Sequence, residues 1–283
     1  MREQQRFRLP LLHYGIVDMT NSIKNKKLFL LDLDGTVYIE DRLIDGALEF
    51  FDHVKKSGGK YMFLTNNSSR GIKDYIKKFA RLGINADKDD FVTSVQVASR
   101  YLHDYYSGKK VYVLGNKALM NELASDGHLV TDSYSDDVGI LLVGYDTELT
   151  YQKIKDACRL LNKNVAYIAT NPDLICPSEN GYVPECGAFV EMLRLATGKQ
   201  PTYVGKPAPE MIELAIEKSG IPKSDAVMIG DRLYTDIASG VNADVDTALV
   251  LSGEGTVSDI EASDKKPTFI YKNIREIYNI LAG

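Results

Sequence analysis

Two carboxylates stand one residue apart at the end of a strongly apolar run, in the stretch KKLFLLDLDGTVYIED at residues 26–41. A buried strand has no use for Asp32 and Asp34, and a turn needs only one of them together with Gly35. In such a pair, one carboxylate can attack phosphorus, while the other protonates the leaving oxygen and later activates water. The pair therefore indicates catalysis.

Further polar residues follow other predicted strands. The strand KYMFLTNN contains Thr65 and Asn66, and the strand AVMIGD ends at Asp231, with Asp236 shortly after it. Lys206 precedes the predicted helix that leads into AVMIGD. Because ligands of an open parallel sheet bind at the carboxyl ends of its strands, these groups are expected to lie together. Oxygen ligands suit Mg²⁺, and a lysine with backbone amides at helix starts suits a phosphate.

The elements that must position these residues alternate along the chain. Short apolar runs are followed by amphipathic stretches, which is typical of an α/β fold with a parallel sheet covered by helices. Between Ser69 and Leu82, for example, helical spacing places four apolar residues on one face, and Gly83 follows as a stop signal. Other strands are predicted at VYVLG, GILLVG, VAYIAT, TALVLSG and TFIY.

The order and wording of the motifs DLDGT, FLTNN, GKP and IGDRLYTD resemble those of the haloacid dehalogenase superfamily, whose core is a Rossmann-like parallel sheet. The resemblance implies that Asp32 is the nucleophile and Asp34 the general acid and base. It also implies that Thr65, Asn66 and Lys206 bind the phosphoryl group, with Lys206 balancing the charge on Asp32.

The same resemblance implies a Mg²⁺ site. Its ligands would be Asp32, Asp231 and the backbone carbonyl of Asp34, while Asp236 would bind or orient a metal-bound water. A second acid at the Asp34 position marks phosphoryl transfer rather than dehalogenation in the family that these motifs resemble.

The long interval between Thr65 and Lys206 exceeds what one crossover connection needs and contains strands and helices of its own, so we expect an inserted domain. The insertion resembles the C2-type α/β cap of the NagD-like, type IIA branch, including its loop ATNPDLICPSENGYVPECGAF. We predict a flexible or surface-docked leader at 1–26, a core domain at 27–90 and 203–283, and a cap domain at 91–202.

The cap is expected to cover the acids, exclude water and contact the leaving group, with residues 171–187 as the contact surface. Asn171 and Asp173 are candidates for substrate contact, although "NPD" also forms ordinary turns. Gly181 and Gly187 permit close backbone approach.

Composition excludes several classes of partner. A net charge of -5 provides no basic footprint for nucleic acid, and no apolar stretch approaches the length of a membrane span. The three cysteines are too sparse for a disulfide framework, and the basic N-terminal stretch lacks a secretory apolar region. We therefore expect a cytoplasmic protein with reduced thiols.

Together these observations predict Mg²⁺-dependent hydrolysis of a small phosphomonoester through an aspartyl-phosphate. The branch it resembles acts on nucleotides, sugar phosphates, phosphoglycolate, pyridoxal phosphate and p-nitrophenyl phosphate, so the expected partner is a small phosphorylated metabolite. The same analogy suggests a homodimer formed through the cap. Alternatives are a phosphotransferase or mutase on the same core, a catalytically inactive binding module, and a phosphonate hydrolase, which would need a cap lysine that forms a Schiff base.

Overall fold

The structure is a computed structural model that describes residues 22–178 and 181–283, with no side-chain description at 177 and 178. Most of the predicted leader, at 1–21, and positions 179 and 180 of the predicted cap loop lie outside the described residues. Ile23 is already buried in the core, and Lys26 forms an ion pair with Asp246 at 2.5 Å. The packed fold therefore begins before residue 26.

The described chain alternates between strands and helices. The strands are β1 (Leu28–Leu31), β2 (Tyr38–Ile39), β3 (Arg42–Leu43), β4 (Lys60–Thr65), β5 (Phe91–Thr93), β6 (Lys110–Leu114), β7 (Leu129–Thr131), β8 (Val138–Val143), β9 (Ala166–Ala169), β10 (Ile175–Ser178), β11 (Gly181–Pro184), β12 (Thr202–Tyr203), β13 (Ala226–Gly230), β14 (Asp246–Val250) and β15 (Phe269–Tyr271). The α-helices are α1 (Ala47–Lys56), α2 (Ile72–Arg81), α3 (Ser94–Tyr106), α4 (Lys117–Ser125), α5 (Tyr151–Asn162), α6 (Cys186–Thr197), α7 (Glu210–Ser219), α8 (Ala238–Asn242), α9 (Val257–Ala262) and α10 (Ile274–Ala282). None of these helices combines the length and apolar character that a bilayer crossing requires.

The first sheet has the strand order β15-β14-β13-β1-β4-β5, and all of its pairings are parallel. Strand β1 lies between β13 and β4, with Leu28 opposite both Ala226 and Lys60. The carboxyl ends of these three strands are therefore neighbours, which confirms the predicted α/β fold with a Rossmann-like parallel sheet.

Both faces of β1 are buried, as expected for a central parallel strand. Leu28 and Leu30 belong to one apolar cluster, which also contains Met211 of α7, while Phe29 and Leu31 belong to the cluster on the opposite face. Burying each such side chain contributes about 1.5–3 kcal/mol to folding. Apolar packing therefore fixes the strand whose end carries the paired acids.

Helix α2 confirms the helix that the spacing of apolar residues predicted between Ser69 and Leu82. Its predicted face packs against the core: Tyr75 and Phe79 are buried, and Ile72 and Ile76 lie beside them. Gly83 follows the helix at φ 81°, where a residue with a Cβ would be strained, and its amide bonds the carbonyl of the helix end. The predicted stop is thus confirmed.

The second sheet has the order β12-β9-β8-β6-β7 and is also parallel. By sheet membership, the first sheet extends to Thr93 through β5, and the second extends to Tyr203 through β12. The ends of these two strands lie within one to three positions of the predicted domain boundaries at 90/91 and 202/203. The division into core and cap domains stays a prediction.

Candidate active site

The parallel order of the first sheet brings the predicted motifs to one edge. Asp32 follows β1, Thr65 ends β4 and Asp231 follows β13. Carboxylate oxygens from Asp32, Asp231 and Asp236 lie within 4.8 Å of one another. Lys206 reaches the same place from the loop after β12. The residues predicted from four separate motifs therefore form one cluster.

Lys206 is the buried cation of this cluster, with a 2% exposed side chain. Its Nζ donates to Oδ1 of Asp32 at 2.5 Å, to Oδ1 of Asp236 at 2.7 Å and to the backbone carbonyl of Leu64 at 3.2 Å. Burial alone would lower the pKa of Lys206, but the charges of Asp236 and Asp32 outweigh it and raise the pKa above its usual value. The lysine therefore stays protonated.

The buried carboxyl group of Asp32 needs a nearby cation to stay ionised. Burial, followed by the charge of Asp236, raises the pKa of Asp32 well above its ordinary range, while Lys206 acts in the opposite direction. Since one lysine serves two carboxylates, the cluster is short of positive charge. This shortage favours binding of a further cation.

Asp231 supplies the clearest indication of where a cation would bind. Its Oδ2 accepts a hydrogen bond from the backbone amide of Glu254 at 2.8 Å, whereas its buried Oδ1 has no hydrogen-bond partner in the described chain. Burial and a neighbouring carboxylate raise its pKa to about 7. A buried, unsatisfied carboxylate oxygen is costly unless a ligand meets it. The oxygen-only donor set fits a hard divalent cation such as Mg²⁺.

Glycines let the chain close tightly around Asp231. A Cβ on Gly253 would lie 2.0 Å from Asp231 Oδ2, and a Cβ on Gly35 would lie 2.6 Å from the same atom. Gly35 also has a φ of 86°, which favours glycine. These contacts fix the position of the carboxylate.

Both oxygens of Asp236 are already engaged by the protein. Oδ1 accepts from Lys206, and Oδ2 accepts from the backbone amide of Arg232 at 3.0 Å. This arrangement suits the predicted contact with a metal-bound water better than direct ligation. That role stays a prediction, as does the metal contact by the backbone carbonyl of Asp34.

Asp34 faces a cleft and is exposed to it. The turn that carries it is held by the backbone amide of Gly35, which donates to the carbonyl of Tyr38 at 2.8 Å. Enclosure by the cleft walls raises the pKa of Asp34, against the opposing charges of Lys78 and Arg70. A raised pKa favours the protonated carboxyl that a proton donor needs near neutral pH.

Thr65 and Asn66 lie beside Lys206, but they differ in how their side chains are used. Thr65 Oγ1 accepts from the backbone amide of Asn67 at 3.2 Å. The Asn66 side chain accepts from the Lys206 amide at 2.9 Å and donates to the Lys206 carbonyl at 3.0 Å and to Asp173 at 2.8 Å. The predicted phosphate contact of Asn66 would therefore come from its backbone, while its side chain positions the lysine.

The side chain of Asn171 is used within its own loop and against the loop after β4, and its predicted substrate contact stays a prediction. Its side chain is fully buried, donates to the Asn66 carbonyl at 2.8 Å and accepts from the Asp173 amide at 2.9 Å. Such hydrogen bonds are typical of an ordinary turn, which the motif NPD also forms. A Cβ on Gly187 would lie 2.2 Å from the Pro172 carbonyl, so the expected close approach is present there, whereas Gly181 has open space around its Cβ position.

Asp173 connects the loop between β9 and β10 to the first sheet, because it pairs with Arg232, which follows β13. Arg232 donates to Asp173 at 3.4 Å and to Glu254 at 2.7 Å. Arg232 lies in the motif IGDRLYTD, but the motif alone does not indicate its role, because its partners are distant in the chain. Its position directly after Asp231 was the available signal.

Glu185 is a second residue that the sequence analysis missed. It is buried beside Asn171 and Asp173, and burial together with the charge of Asp173 raises its pKa to about 8. In the sequence, only its position within the stretch ATNPDLICPSENGYVPECGAF pointed to a functional role.

Above the acids lies an open cleft of about 1020 Å³. The first-sheet side contributes Asp34, Arg70 and Lys78, and the β10–β11 hairpin contributes Ile175 and Tyr182. The cleft can therefore accommodate a small organic molecule next to the cluster.

Comparison with known proteins places these features in a family. Residues 29–128 match the family described as haloacid dehalogenase-like hydrolase, and residues 203–277 match a second segment described as HAD-hydrolase-like. The chain is 34% identical to an acid sugar phosphatase of Staphylococcus haemolyticus, over 89% of this chain and 95% of that protein.

Solved structures give the same result. A 4-nitrophenylphosphatase from Thermotoga maritima superposes with a TM-score of 0.86 at 37% identity, covering 92% of this chain and 98% of that one. NagD from E. coli K-12 superposes with a TM-score of 0.81 at 32% identity, covering 89% and 98%. A glycerol phosphate phosphatase from Mycobacterium tuberculosis, solved in complex with magnesium, has a TM-score of 0.85 at 29% identity, covering 90% and 78%.

Proposed function

The chain belongs to the haloacid dehalogenase-like hydrolase family and is a phosphatase, and from this premise we propose that it hydrolyses a small phosphomonoester with Mg²⁺ through an aspartyl-phosphate on Asp32. The observation that carries the proposal is the contact between Lys206 and Asp32 beside the unsatisfied oxygen of Asp231. It supports the proposal because the candidate nucleophile, a fixed cation and a candidate metal ligand lie in one buried cluster.

Mg²⁺ would be held by Asp32 and Asp231, together with the backbone carbonyl of Asp34, and Asp236 would orient a metal-bound water. When bound, the ion supplies positive charge that stabilises the phosphoryl oxygens and keeps the nearby carboxylates ionised. The shortage of positive charge around Asp32, where one lysine serves two carboxylates, supports this assignment.

In the first step, a carboxylate oxygen of Asp32 attacks phosphorus, and the bond from phosphorus to the alcohol oxygen breaks. Protonated Asp34 donates its proton to that oxygen, so the alcohol leaves neutral. Lys206 stays protonated and offsets the charge on Asp32. Thr65 and the backbone near Asn66 would hold the phosphoryl oxygens.

In the second step, Asp34 is ionised and accepts a proton from water as the water attacks phosphorus. The bond between phosphorus and the Asp32 oxygen breaks, which releases phosphate and restores the free carboxylate. One acid therefore acts in both directions, and its raised pKa suits the donation in the first step.

We further propose that the reaction takes place between the two sheets, with the β10–β11 hairpin covering the phosphoryl group. Exclusion of water strengthens the electrostatic interactions inside the site and protects the covalent intermediate. A small phosphorylated metabolite fits the cleft of about 1020 Å³.

The test is phosphate release from 4-nitrophenyl phosphate with and without Mg²⁺, comparing the native protein with Asp32→Asn. Asp74→Asn is the matched control, because Asp74 is an exposed acid on α2 outside the cleft. We expect Mg²⁺-dependent turnover that is lost in Asp32→Asn and kept in Asp74→Asn. Full activity of Asp32→Asn would refute the aspartyl-phosphate, and transfer of phosphate to an added sugar instead of water would favour a mutase.

A further inference from the structure

One buried cation of the cleft has no carboxylate partner. Lys78, on α2, is 7% exposed and lines the cleft beside Asp34. Across the described ranges 22–178 and 181–283, no carboxylate lies within 4.0 Å of its ammonium, which instead sits 3.6 Å from the ring centroid of Tyr38. The other buried lysines differ, since Lys26 pairs with Asp246 and Lys206 pairs with Asp32, each at 2.5 Å.

An unpaired buried ammonium is unfavourable for folding. Its partial removal from water is unfavourable unless a counter-charge meets it, and the Tyr38 ring offsets only part of that effect. Burial accordingly lowers the pKa of Lys78, although the charge of Asp34 opposes the shift. A function that requires a positive charge at this position would explain the presence of Lys78 there.

A second cation lies on the same wall. Arg70 follows the β4 loop, is exposed to the cleft and has no ion-pair partner within the part of the chain described. Both Arg70 and Lys78 lie near enough to Asp34 to affect its titration. Arg232, by contrast, is already paired with Asp173 and Glu254. The free positive charge of the cleft is therefore concentrated next to Asp34, where the leaving oxygen would be protonated.

The acids of the cleft do not remove this charge. Glu40 and Asp41 are exposed at the turn between β2 and β3, and neither is within 4.0 Å of a described cation, although the charge of Asp41 acts on Lys78 from a greater distance. Asp34 itself would be protonated when substrate binds, under the proposed mechanism.

We propose that Lys78 and Arg70 bind an anionic substituent on the leaving alcohol, so that the preferred substrates are phosphomonoesters that carry a carboxylate or a second phosphate. This inference rests on the proposed function. The planar guanidinium can bind either group through two hydrogen bonds, and the ammonium adds a point charge from the buried side. The two cations would also orient the alcohol so that its oxygen faces Asp34.

The test uses pairs of esters that differ in one anionic group. Glycerol 3-phosphate and 3-phosphoglycerate differ by a carboxylate, while fructose 6-phosphate and fructose 1,6-bisphosphate differ by a phosphate. The measured quantity is the kcat/KM of the member that carries the added anionic group, divided by the kcat/KM of the member that lacks it. We expect native ratios of about ten or more in at least one pair, since a charge-assisted contact commonly changes affinity by that factor.

Lys78→Met keeps the length of the side chain and removes its charge, and we expect it to lower the elevated ratio about tenfold. Arg70→Gln should lower the same ratio, and it serves as a second probe if Lys78→Met does not fold, because Arg70 is exposed. Lys77→Met is the matched control: it removes a lysine from the adjacent, exposed position of α2, outside the cleft, and should leave the ratio unchanged.

The outcomes separate the explanations. A fall in the ratio for 3-phosphoglycerate alone identifies a carboxylate site, and a fall for the bisphosphate alone identifies a phosphate site. Equal losses for both members of a pair, with a shifted pH profile for 4-nitrophenyl phosphate, would show that Lys78 acts only on Asp34 and would overturn the inference. Native ratios near one, with 4-nitrophenyl phosphate hydrolysed, would overturn it as well. Failure to hydrolyse any ester would overturn the proposed function and this inference with it.

Discussion

The ammonium of Lys206 lies 2.5 Å from Oδ1 of Asp32, although 174 positions separate the two residues in the chain. The same ammonium lies 2.7 Å from Asp236, so a single lysine neutralises part of two buried carboxylates. This contact holds the Asp32 carboxylate in place and makes its ionisation depend on the lysine.

Replacing Lys206 by Met should reduce kcat by a factor on the order of 10²–10³, the range seen when one preorganised donor is removed. Asp32 and Asp236 would lose their shared cation, and the pKa of Asp32 would rise further. Steady-state kinetics with 4-nitrophenyl phosphate measure the loss. Retention of more than about a third of the native kcat, a loss far below that range, would contradict the role of Lys206.

Removal of the metal site should be visible without any activity assay. Mg²⁺ that binds the folded protein raises its melting temperature by mass action. We expect this rise in the native protein and its loss in Asp231→Asn, because the amide removes the charge of the unsatisfied oxygen. Thermal unfolding with and without Mg²⁺ measures both shifts, and an equal rise in the variant would place the ion elsewhere.

A single methyl group should disturb the same carboxylate. In Gly253→Ala, the new Cβ would lie 2.0 Å from Asp231 Oδ2, so the carboxylate must move. We expect at least a tenfold higher Mg²⁺ requirement in kinetic titrations, since one tenfold step corresponds to about 1.4 kcal/mol. Gly139→Ala is the matched control, because its Cβ would meet only the Lys109 side chain, at 3.5 Å. An unchanged Mg²⁺ requirement in Gly253→Ala would count against Asp231 as a ligand.

Buried Glu185 predicts a pH dependence of stability. Its pKa is raised from an ordinary value of 4.5 to about 8, so the folded state binds the proton more tightly than the unfolded state does. This stabilisation is complete below pH 4.5 and is lost as the pH rises through about 8. Glu185→Gln keeps the shape of the side chain and should unfold at a higher urea concentration than the native protein above pH 8, but not near pH 5.

The expected difference in unfolding free energy is on the order of a few kcal/mol at most, since one pKa unit corresponds to about 1.36 kcal/mol. Urea titrations at both pH values provide the measurement. A parallel pH dependence in the two proteins would show that Glu185 is not the group that titrates.

Asn66→Ala should show how far positioning of Lys206 matters. The variant loses the hydrogen bonds that the Asn66 side chain makes with the Lys206 backbone and with Asp173. We expect kcat to fall about tenfold or more, with a smaller change in KM, because the displaced lysine acts on the chemical step. A rise in KM at unchanged kcat would instead indicate that Asn66 contributes to substrate binding.

The sequence alone was sufficient for the fold and for most members of the cluster of acids around Lys206. The apolar runs that precede Asp32, Thr65 and Asp231 are local signals, and the parallel sheet places the ends of such strands at one edge. The apolar face of α2 and its end at Gly83 were also predictable from local sequence. The spacing of apolar residues and the backbone conformation of a glycine depend mainly on neighbouring residues.

What only the tertiary structure decided were the contacts between distant segments. Arg232 contacts Asp173 across the two sheets, and Asn66 holds the backbone of Lys206. Lys78 lies buried against Tyr38, with no carboxylate of the described residues within 4.0 Å of its ammonium. From its sequence context, Asn171 resembled a residue that contacts substrate. In the structure its side chain donates to the Asn66 carbonyl and accepts from the Asp173 amide. Pairing, burial and charge balance depend on distances that chain order does not contain, which is why these roles could not be predicted from sequence.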